Sequence, residues 1–384
     1  MLVVGAGPAG AVAATLLARA GARVVVMHRP GRGGPTIGEV LPSAARPTFV
    51  RLDLGDVLGD PGHADSPGTV SVWGSEVPFE SDFLFSPYGA GLHLDRARFD
   101  EHLRELAVMA GAEVVPEAIG SAAAWSALSA RSERGDFRVL LDCSGRSAVL
   151  ARARGARIER FDALVAVAGL LAPGSGSPDL DARTYVAAGA DGWWYSALLP
   201  DGHRVAAFQT DHDLLEPAMR RDPTTWHRRL LGVPAIGALV RASGAGPPTV
   251  LRVLAADSRR MRWPGEAAAS ASARASAGGS AMVVLAGDAA MAFDPLSSMG
   301  ILAAIGSAEE AVAVVLAQLE EGSRAALAAA DRRLGADQTR WTSYLDRLAE
   351  AYGSERRWSA SPFWARRHAW RTDRRSTVGA RAQR

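Results

Sequence analysis

The sequence predicts an α/β fold in which a Rossmann-like dinucleotide-binding domain is interleaved with a β-sheet domain and followed by C-terminal helices. Three observations predict it. The chain opens on an apolar run broken by a glycine turn and continued by an apolar-periodic helix, MLVVGAGPAGAVAATLLARAGA. A second Gly-Asp turn, in AMVVLAGDAAMAFDPLSSMGILAA at 281–304, ends another apolar run far down the chain and leads into an Ala-rich helix. Between the two lie strand-like stretches with turn signals, such as TVSVWGSEVPF and the region from about 162 to 211.

Taken in order, residues 2–4 form a strand, GAGPAG the turn, AVAATLLARAGA a helix ending at Gly21, and RVVVMHR a second strand, which makes a βαβ opening. The Gly- and Pro-rich GRGGPTIGEVLPSAARP is an extended loop leading into a helix near 43–54. LDRARFDEHLRELAVMAGA is an amphipathic helix followed by the strand EVVP. PDG at 200–202 is a turn, and EAAASASARASAGGS at 266–280 is a low-complexity loop. Strands near 2–4, 24–27, 113–116, 138–142 and 282–286 belong to one nucleotide-binding sheet, so that domain is discontinuous: 1–60, 90–158 and 275–325. Residues 61–89 and 159–274 form the substrate domain, and 326–384 a C-terminal helical region with an Arg-rich tail.

Composition narrows the setting. At 384 residues and 48% hydrophobic, the chain can bury a sizeable core. Cys143 is the only cysteine, which excludes an internal disulfide and a multi-cysteine zinc site, and its apolar surroundings, LLDCSGR, mark it as a small buried hydrophobe. No secretory pattern precedes the first strand and no apolar run reads as long enough to span a bilayer, so the expectation is a cytoplasmic protein with no membrane partner. All 43 basic residues are Arg and none is Lys. The net charge is +2, yet 351–384 hold nine Arg against Glu355 and Asp373, either a solvated tail or a docking surface for an acidic partner. Nucleic acid is not the expected partner.

Gly5, Gly7 and Gly10 form G-x-G-x-x-G between a strand and a helix, the context that binds a pyrophosphate. Gly5 permits the turn, Gly7 lets backbone approach phosphate, Gly10 lets helix and strand pack, and Pro8 and Ala9 open the helix whose N-terminus favours negative charge. The ribose-binding acid expected about 20 residues on is absent: position 28 is His, so His28 and Arg29 are the candidates there.

The later Gly-Asp stretch resembles the motif of FAD-containing hydroxylases of the p-hydroxybenzoate hydroxylase fold, a single dinucleotide fold of the glutathione reductase type. That resemblance implies FAD, with Gly287 and Asp288 at the ribityl chain, Pro295 and Ser298 shaping the turn over the isoalloxazine, and backbone N–H groups near Gly300 and Ile301 facing the flavin's N1/O2 edge. IGEVLP, at 37–42, is similar to the Gly-Glu loop of tryptophan halogenases and places Gly38 and Glu39 beside the flavin. LHLDRARFDEHL resembles their Asp-Arg-x-x-Phe-Asp helix start, with Arg96 toward the cofactor and Asp95 as N-cap. LLDCSGRSA resembles their Asp-x-x-Gly-Arg stretch near the cofactor, and DGWWYSALLP their Trp-x-Trp-x-Ile-Pro block, which offers Trp193 and Tyr195 to substrate.

Those halogenases rely on a catalytic Lys, which this chain lacks. The resemblance then extends to flavoproteins that hydroxylate tryptophan within a partner protein during tryptophylquinone biogenesis, through WGS at 73–75, GWWY, FDPLSSMG and ERRWSASPFWARR. It implies an FAD-dependent monooxygenase that adds oxygen from O₂ to an electron-rich ring through a flavin C4a-hydroperoxide, with Glu39 orienting substrate or accepting an indole N–H. His93 and His203 are weaker candidates. No second G-x-G-x-x-G is present, so no separate NAD(P)H domain is expected, and the resemblance implies electrons from NAD(P)H or from an external flavin reductase. The substrate is expected to be a tryptophan-bearing protein or peptide docking near the Arg-rich C-terminus. A small-molecule phenol or indole hydroxylase and a flavin reductase like geranylgeranyl reductase remain as alternatives.

Overall fold

The computed structural model describes residues 1–29, 39–83, 86–117, 137–263, 273–274 and 281–370. Four sheets organise them. The first runs β17 (Ala273–Arg274), β18 (Met282–Leu285), β9 (Val139–Asp142), β1 (Leu2–Val4), β2 (Val25–Met27), β8 (Glu113–Val115). All neighbours pair parallel except β17 with β18. Parallel strands are covered on both faces and therefore read as unbroken apolar runs; every residue of β1, β9 and β18 is buried. The expected low-complexity loop is described only at β17, a two-residue strand on this sheet.

Three long helices cover the sheet. α1 (Pro8–Arg19) starts with proline in its first turn, where the missing N–H costs nothing, and buries an Ala-rich stripe. α3 (Arg96–Met109) is capped by Asp95, whose carboxylate accepts the N–H of Ala97 at 3.0 Å and of Arg98 at 3.1 Å. α8 (Gly300–Glu320) packs on α1 and on α9 (Ser323–Ser354). By length and composition α8 is apolar enough to cross a membrane, with a mean hydropathy of 1.7, which corrects the expectation that no segment is. Ile305, Ala308, Ala311 and Val315, spaced along one face, are fully buried in the core it shares with α1.

The largest sheet has seven strands: β15 (Leu251–Ala255), β11 (Leu164–Leu171), β14 (Arg204–Asp211), β13 (Gly192–Leu198), β12 (Thr184–Gly189), β5 (Gly68–Val72), β6 (Phe79–Asp82). Side chains alternate across it. Trp194 faces one side, where it packs with Phe208 and with Trp226 of α6 (Pro223–Leu231). Flanking that helix are α5 (Pro217–Arg221) and α7 (Pro234–Ser243). Trp193 and Tyr195 face the other side, toward the first sheet and the C-terminal helices. Two three-stranded sheets bridge the halves: β10 (Arg157–Arg160), β16 (Arg259–Arg262) and β19 (Met291–Ala292), and β3 (Val40–Leu41), β7 (Gly91–His93) and β4 (Ala64–Ser66). Two further helices, α2 (Arg46–Arg51) and α4 (Val149–Ala153), are short, and residues 362–370 are also helical.

Much of the C-terminal segment is tied down by its own polar groups. Trp73 Nε1 donates to Ala351 O at 2.8 Å and Trp364 Nε1 to Gly189 O at 2.8 Å. Arg367, 1% exposed, lies 3.5 Å over the Phe363 ring and pairs with Asp211 at 2.8 Å, while Arg366 pairs with Asp211 and Asp213. Arg357 pairs with Glu355 at 2.5 Å. These arginines of the basic stretch hold the chain to itself; residues 371–384 of the Arg-rich tail lie outside the described residues.

Candidate active site

The three fingerprint glycines divide into two kinds. Gly5 has φ +104°, and a Cβ there would sit 2.2 Å from Cys143 O; a Cβ on Gly10 would sit 1.8 Å from Gly5 O. Both are packing requirements. A Cβ on Gly7 would meet nothing within 4 Å, because Gly7 opens with Pro8 and Ala9 onto a cavity of about 500 Å³. The cavity lies at the carboxyl ends of β1, β9 and β18, the crevice where ligands bind in open parallel sheets.

A second helix end meets the first. Gly287, at φ +60°, brings the β18 turn so close that a Cβ would stand 2.9 Å from the Ala9 methyl. Beyond it the chain passes Pro295 and Ser298, the latter in the left-handed region at φ 49°, and enters α8 at Gly300, where a Cβ would again meet nothing. Pro295, Ser298, Gly300 and Ile301 all line the cavity. The first N–H groups of α1 and α8 have no intrahelical acceptors, so two partly positive helix ends converge on one space. Two glycines that leave room for a ligand beside those ends suit a pyrophosphate and an anionic ring edge, so the residues present fit a dinucleotide such as FAD.

Charged groups sit between the two ends. Asp288 is half-buried in the cavity; burial raises its carboxyl above the usual range, against the pull of Arg146, Arg259 and Arg96. Arg146 stands 3.5 Å from Asp288 and donates to the carbonyls of Asp257 at 2.8 Å and Phe293 at 3.2 Å, so one guanidinium joins the β18 turn to the β15–β16 connection. Arg96 lines the cavity and pairs with Asp100 at 3.2 Å. Behind Arg146, Asp142 is fully buried and accepts the N–H groups of Ser144, Leu150 and Ala151, which fixes the turn carrying Gly145 and Arg146.

The opposite wall comes from the large sheet. Adjacent strands bring Leu254, Ala166 and Gln209 into one row and Arg252 and Tyr195 into the next row on that face. The Tyr195 hydroxyl donates toward Glu39 Oε2 at 3.5 Å; burial, then the Glu39 charge, pushes the phenol well above its ordinary value, so it stays protonated. Glu39, just before β3, is 3% exposed.

The structure thus gathers Gly7, Pro8, Ala9, Arg96, Tyr195, Gly287, Asp288, Pro295, Ser298, Gly300 and Ile301 around one cavity, with Glu39 bonded to its wall and Gly5 and Gly10 packed beneath. Trp193, expected at substrate, lies away from the cavity lining: it is 1% exposed, its Nε1 donates to Tyr352 Oη at 2.9 Å, and it packs edge-on against Trp73. Its row continues past Gln209 under the C-terminal helices, out of the cavity lining. His28 lines a separate groove of about 480 Å³ with Glu101, Arg104 and Val114, and Arg29 is exposed. Gly38 lies outside the described residues. His93 is fully buried with Nε2 2.6 Å from Ala182 O, and His203 pairs with Asp201 at 3.1 Å; neither lines the cavity. Sequence reasoning passed over Arg146, Gln209, Arg252 and Asp294. Arg146 carried a local signal in the Asp-x-x-Gly-Arg spacing, and Asp294 stands within FDPLSSMG.

Glycine turn, second Gly-Asp turn and interleaved sheets define a class of protein, and comparison agrees. A family model described as an NAD(P)-binding Rossmann-like domain matches residues 3–55. The chain has the fold of the FAD-dependent halogenases and monooxygenases. The chondrochloren halogenase CndH, from a myxobacterium, superposes with a TM-score of 0.74 at 21% identity, covering 100% of this chain and 89% of CndH. The peptidyl tryptophan dihydroxylase QhpG, essential for tryptophylquinone cofactor biogenesis, superposes with a TM-score of 0.70 at 24% identity, covering 95% of this chain and 77% of QhpG. By sequence the chain is 28% identical over 385 residues, 96% of each chain, to LodB of Marinomonas mediterranea, described as an FAD-dependent oxidoreductase.

Proposed function

We propose that this protein is an FAD-dependent monooxygenase that hydroxylates an electron-rich aromatic ring, the indole of a tryptophan in a protein or peptide. The observation that carries the proposal is the convergence of the α1 and α8 N-termini on a cavity whose far wall is the Tyr195 face of the large sheet. The likeness to QhpG supports the peptide substrate, and the absence of Lys speaks against the halogenase route.

Gly7, Pro8 and Ala9 would hold the pyrophosphate, Asp288 with Arg146 the ribityl chain, and Gly300 and Ile301 the polar ring edge. Bound FAD, reduced by NAD(P)H or by an external reductase, supplies activation of O₂ and transfer of one oxygen atom to the ring. The chain's own residues do the rest. Tyr195 and Glu39 orient the indole, with Glu39 accepting the ring N–H. Leu254, Ala166 and Phe293 exclude water, and the helix ends favour negative charge beside them. A cytoplasmic setting and a tryptophan-bearing partner belong to the same proposal.

The test is NAD(P)H oxidation by the FAD-loaded protein, with and without a supplied reductase, in the presence of tryptophan peptides, free tryptophan or simple phenols. The proposal expects peptide-stimulated oxygen uptake and an oxygenated indole by mass spectrometry. Turnover of the small compounds alone overturns the peptide assignment, and saturation of an isoprenoid without oxygen uptake overturns hydroxylation.

A further inference from the structure

Asp294 sits between Phe293 and Pro295 in the turn before α8 and lines the cavity while being only 1% exposed. Its carboxyl is held on both oxygens: Oδ1 accepts the Leu296 N–H and Oδ2 the Tyr352 hydroxyl, each at 2.8 Å. Tyr352 is itself fixed, since its oxygen accepts the Trp193 Nε1–H at 2.9 Å. The Asp294 N–H donates to Tyr344 Oη at 2.8 Å, and Tyr344 is bonded to Ser258 Oγ at 2.6 Å. A buried carboxyl anchored from three sides is not a solvated surface acid that happens to border a pocket.

The charged and titratable groups around it are Asp162 ahead of β11, Tyr344 and Tyr352 on α9, and Arg367 from the helical residues 362–370. The nearby guanidiniums bond elsewhere, Arg146 to Asp257 and Asp288, and Arg367 to Asp211. Burial first, then the Asp162 charge, raises the Asp294 carboxyl to about 7, against the Leu296 N–H, the Tyr352 hydroxyl and Arg367. Both protonation states are therefore populated near neutral pH.

We infer that Asp294 is the proton donor of this cavity, a neutral carboxylic acid whose O–H proton is released when an oxygen atom is transferred there. Oδ1 and Oδ2 each accept one hydrogen bond, which leaves on the carboxyl a lone pair free to carry the proton. The inference rests on the hydroxylation proposed above, in which a ring C–H, O₂, NAD(P)H and one proton become a ring C–OH, NAD(P)⁺ and water. The carboxyl O–H bond breaks, its electron pair stays on the carboxylate, the proton ends in the water, and the carboxylate takes up a proton from solvent between turnovers. Buried at the cavity wall, such an acid supplies a proton at a fixed place during the chemical step.

The test pairs a spectroscopic reading with a kinetic one. Difference infrared spectroscopy of the protein across pH, without substrate, should give a protonated-carboxyl C=O band that disappears near pH 7 and is missing in Asp294→Asn. With FAD, reductant and a tryptophan peptide, kcat should fall as pH rises through the same midpoint. Asp294→Asn should lower kcat about a hundredfold and remove that limb. Tyr352→Phe removes a hydrogen bond that favours the charged form, so it should move both the band and the limb to higher pH, which keeps the test decisive if Asp294→Asn folds poorly. A carboxyl that is ionised throughout, or a pH limb that survives in Asp294→Asn, overturns the inference. If no ring is hydroxylated but the band titrates as expected, the function proposal falls while the protonated Asp294 stands.

Discussion

Around the glycine turn the site is made of backbone: Gly5, Gly10 and Gly287 let chain segments pack closely, Gly7 and Gly300 leave room, and helix ends supply the polarity. Beneath the C-terminal helices the chain does the opposite, filling space with Trp73, Trp193, Tyr352 and Trp364 and threading the buried pair Asp211–Arg367 through them. The first region excludes side chains so that a ligand can enter. The second uses them to hold Asp294, Tyr344 and Tyr352 in one geometry. Openness is thus assigned to the cavity and rigidity to the packed region beside it, and the comparison can be broken at either part.

The largest effect is expected inside the glycine turn itself. Gly5→Ala forces a Cβ against the Cys143 carbonyl at a positive φ and should cost about 5 kcal/mol, read as loss of folded protein in a denaturant melt. Gly7→Ala has open space and should leave the melt unchanged while weakening FAD binding tenfold or more in a fluorescence titration. Equal stability losses in the two variants would erase the distinction between packing and ligand glycines.

In the rigid region, Asp211→Ala leaves Arg367 buried without its carboxylate and should destabilise by about 3–5 kcal/mol. A smaller effect follows from Asp294. The native carboxyl keeps its proton to about pH 7 and an unfolded one to its ordinary value of 3.8, so between those values the native state binds more protons. Asp294 therefore contributes stability that falls as pH rises from about 4 to 7 and is flat above, and Asp294→Asn should remove about 2–4 kcal/mol of that decline. A wild-type slope equal to that of the variant contradicts the raised value. Smallest is Trp193→Phe, which loses the bond to Tyr352 and should cost about 1 kcal/mol with hydroxylation retained. Tyr195→Phe should show the reverse, near-native stability with lowered kcat.

The same division governs what could be read from the sequence. The nucleotide sheet was legible because each strand is a local apolar run and each turn a local glycine pattern: the strands expected near 2–4, 24–27, 113–116, 138–142 and 282–286 fall on β1, β2, β8, β9 and β18. Asp95 is the cap its spacing predicts. The helices over the large sheet were missed although Pro217, Pro223 and Pro234 each open one, because prolines among Arg-rich residues also read as loop punctuation. Trp193 was placed at substrate because nothing nearby in sequence reveals Tyr352, its hydrogen-bond acceptor 159 residues away. Asp294 adjoins a motif proline, yet its burial is set by α9. Long-range side-chain pairing leaves no periodicity to read.

The measurement that tests the central claim most directly is turnover of a tryptophan peptide by the FAD-loaded protein and a reductant under O₂ labelled with heavy oxygen, followed by mass spectrometry of the peptide. Monooxygenation predicts the heavy isotope on the indole ring, with the label absent when heavy water replaces heavy O₂. An unmodified peptide while the reductant is consumed, or label that arrives only from water, contradicts it.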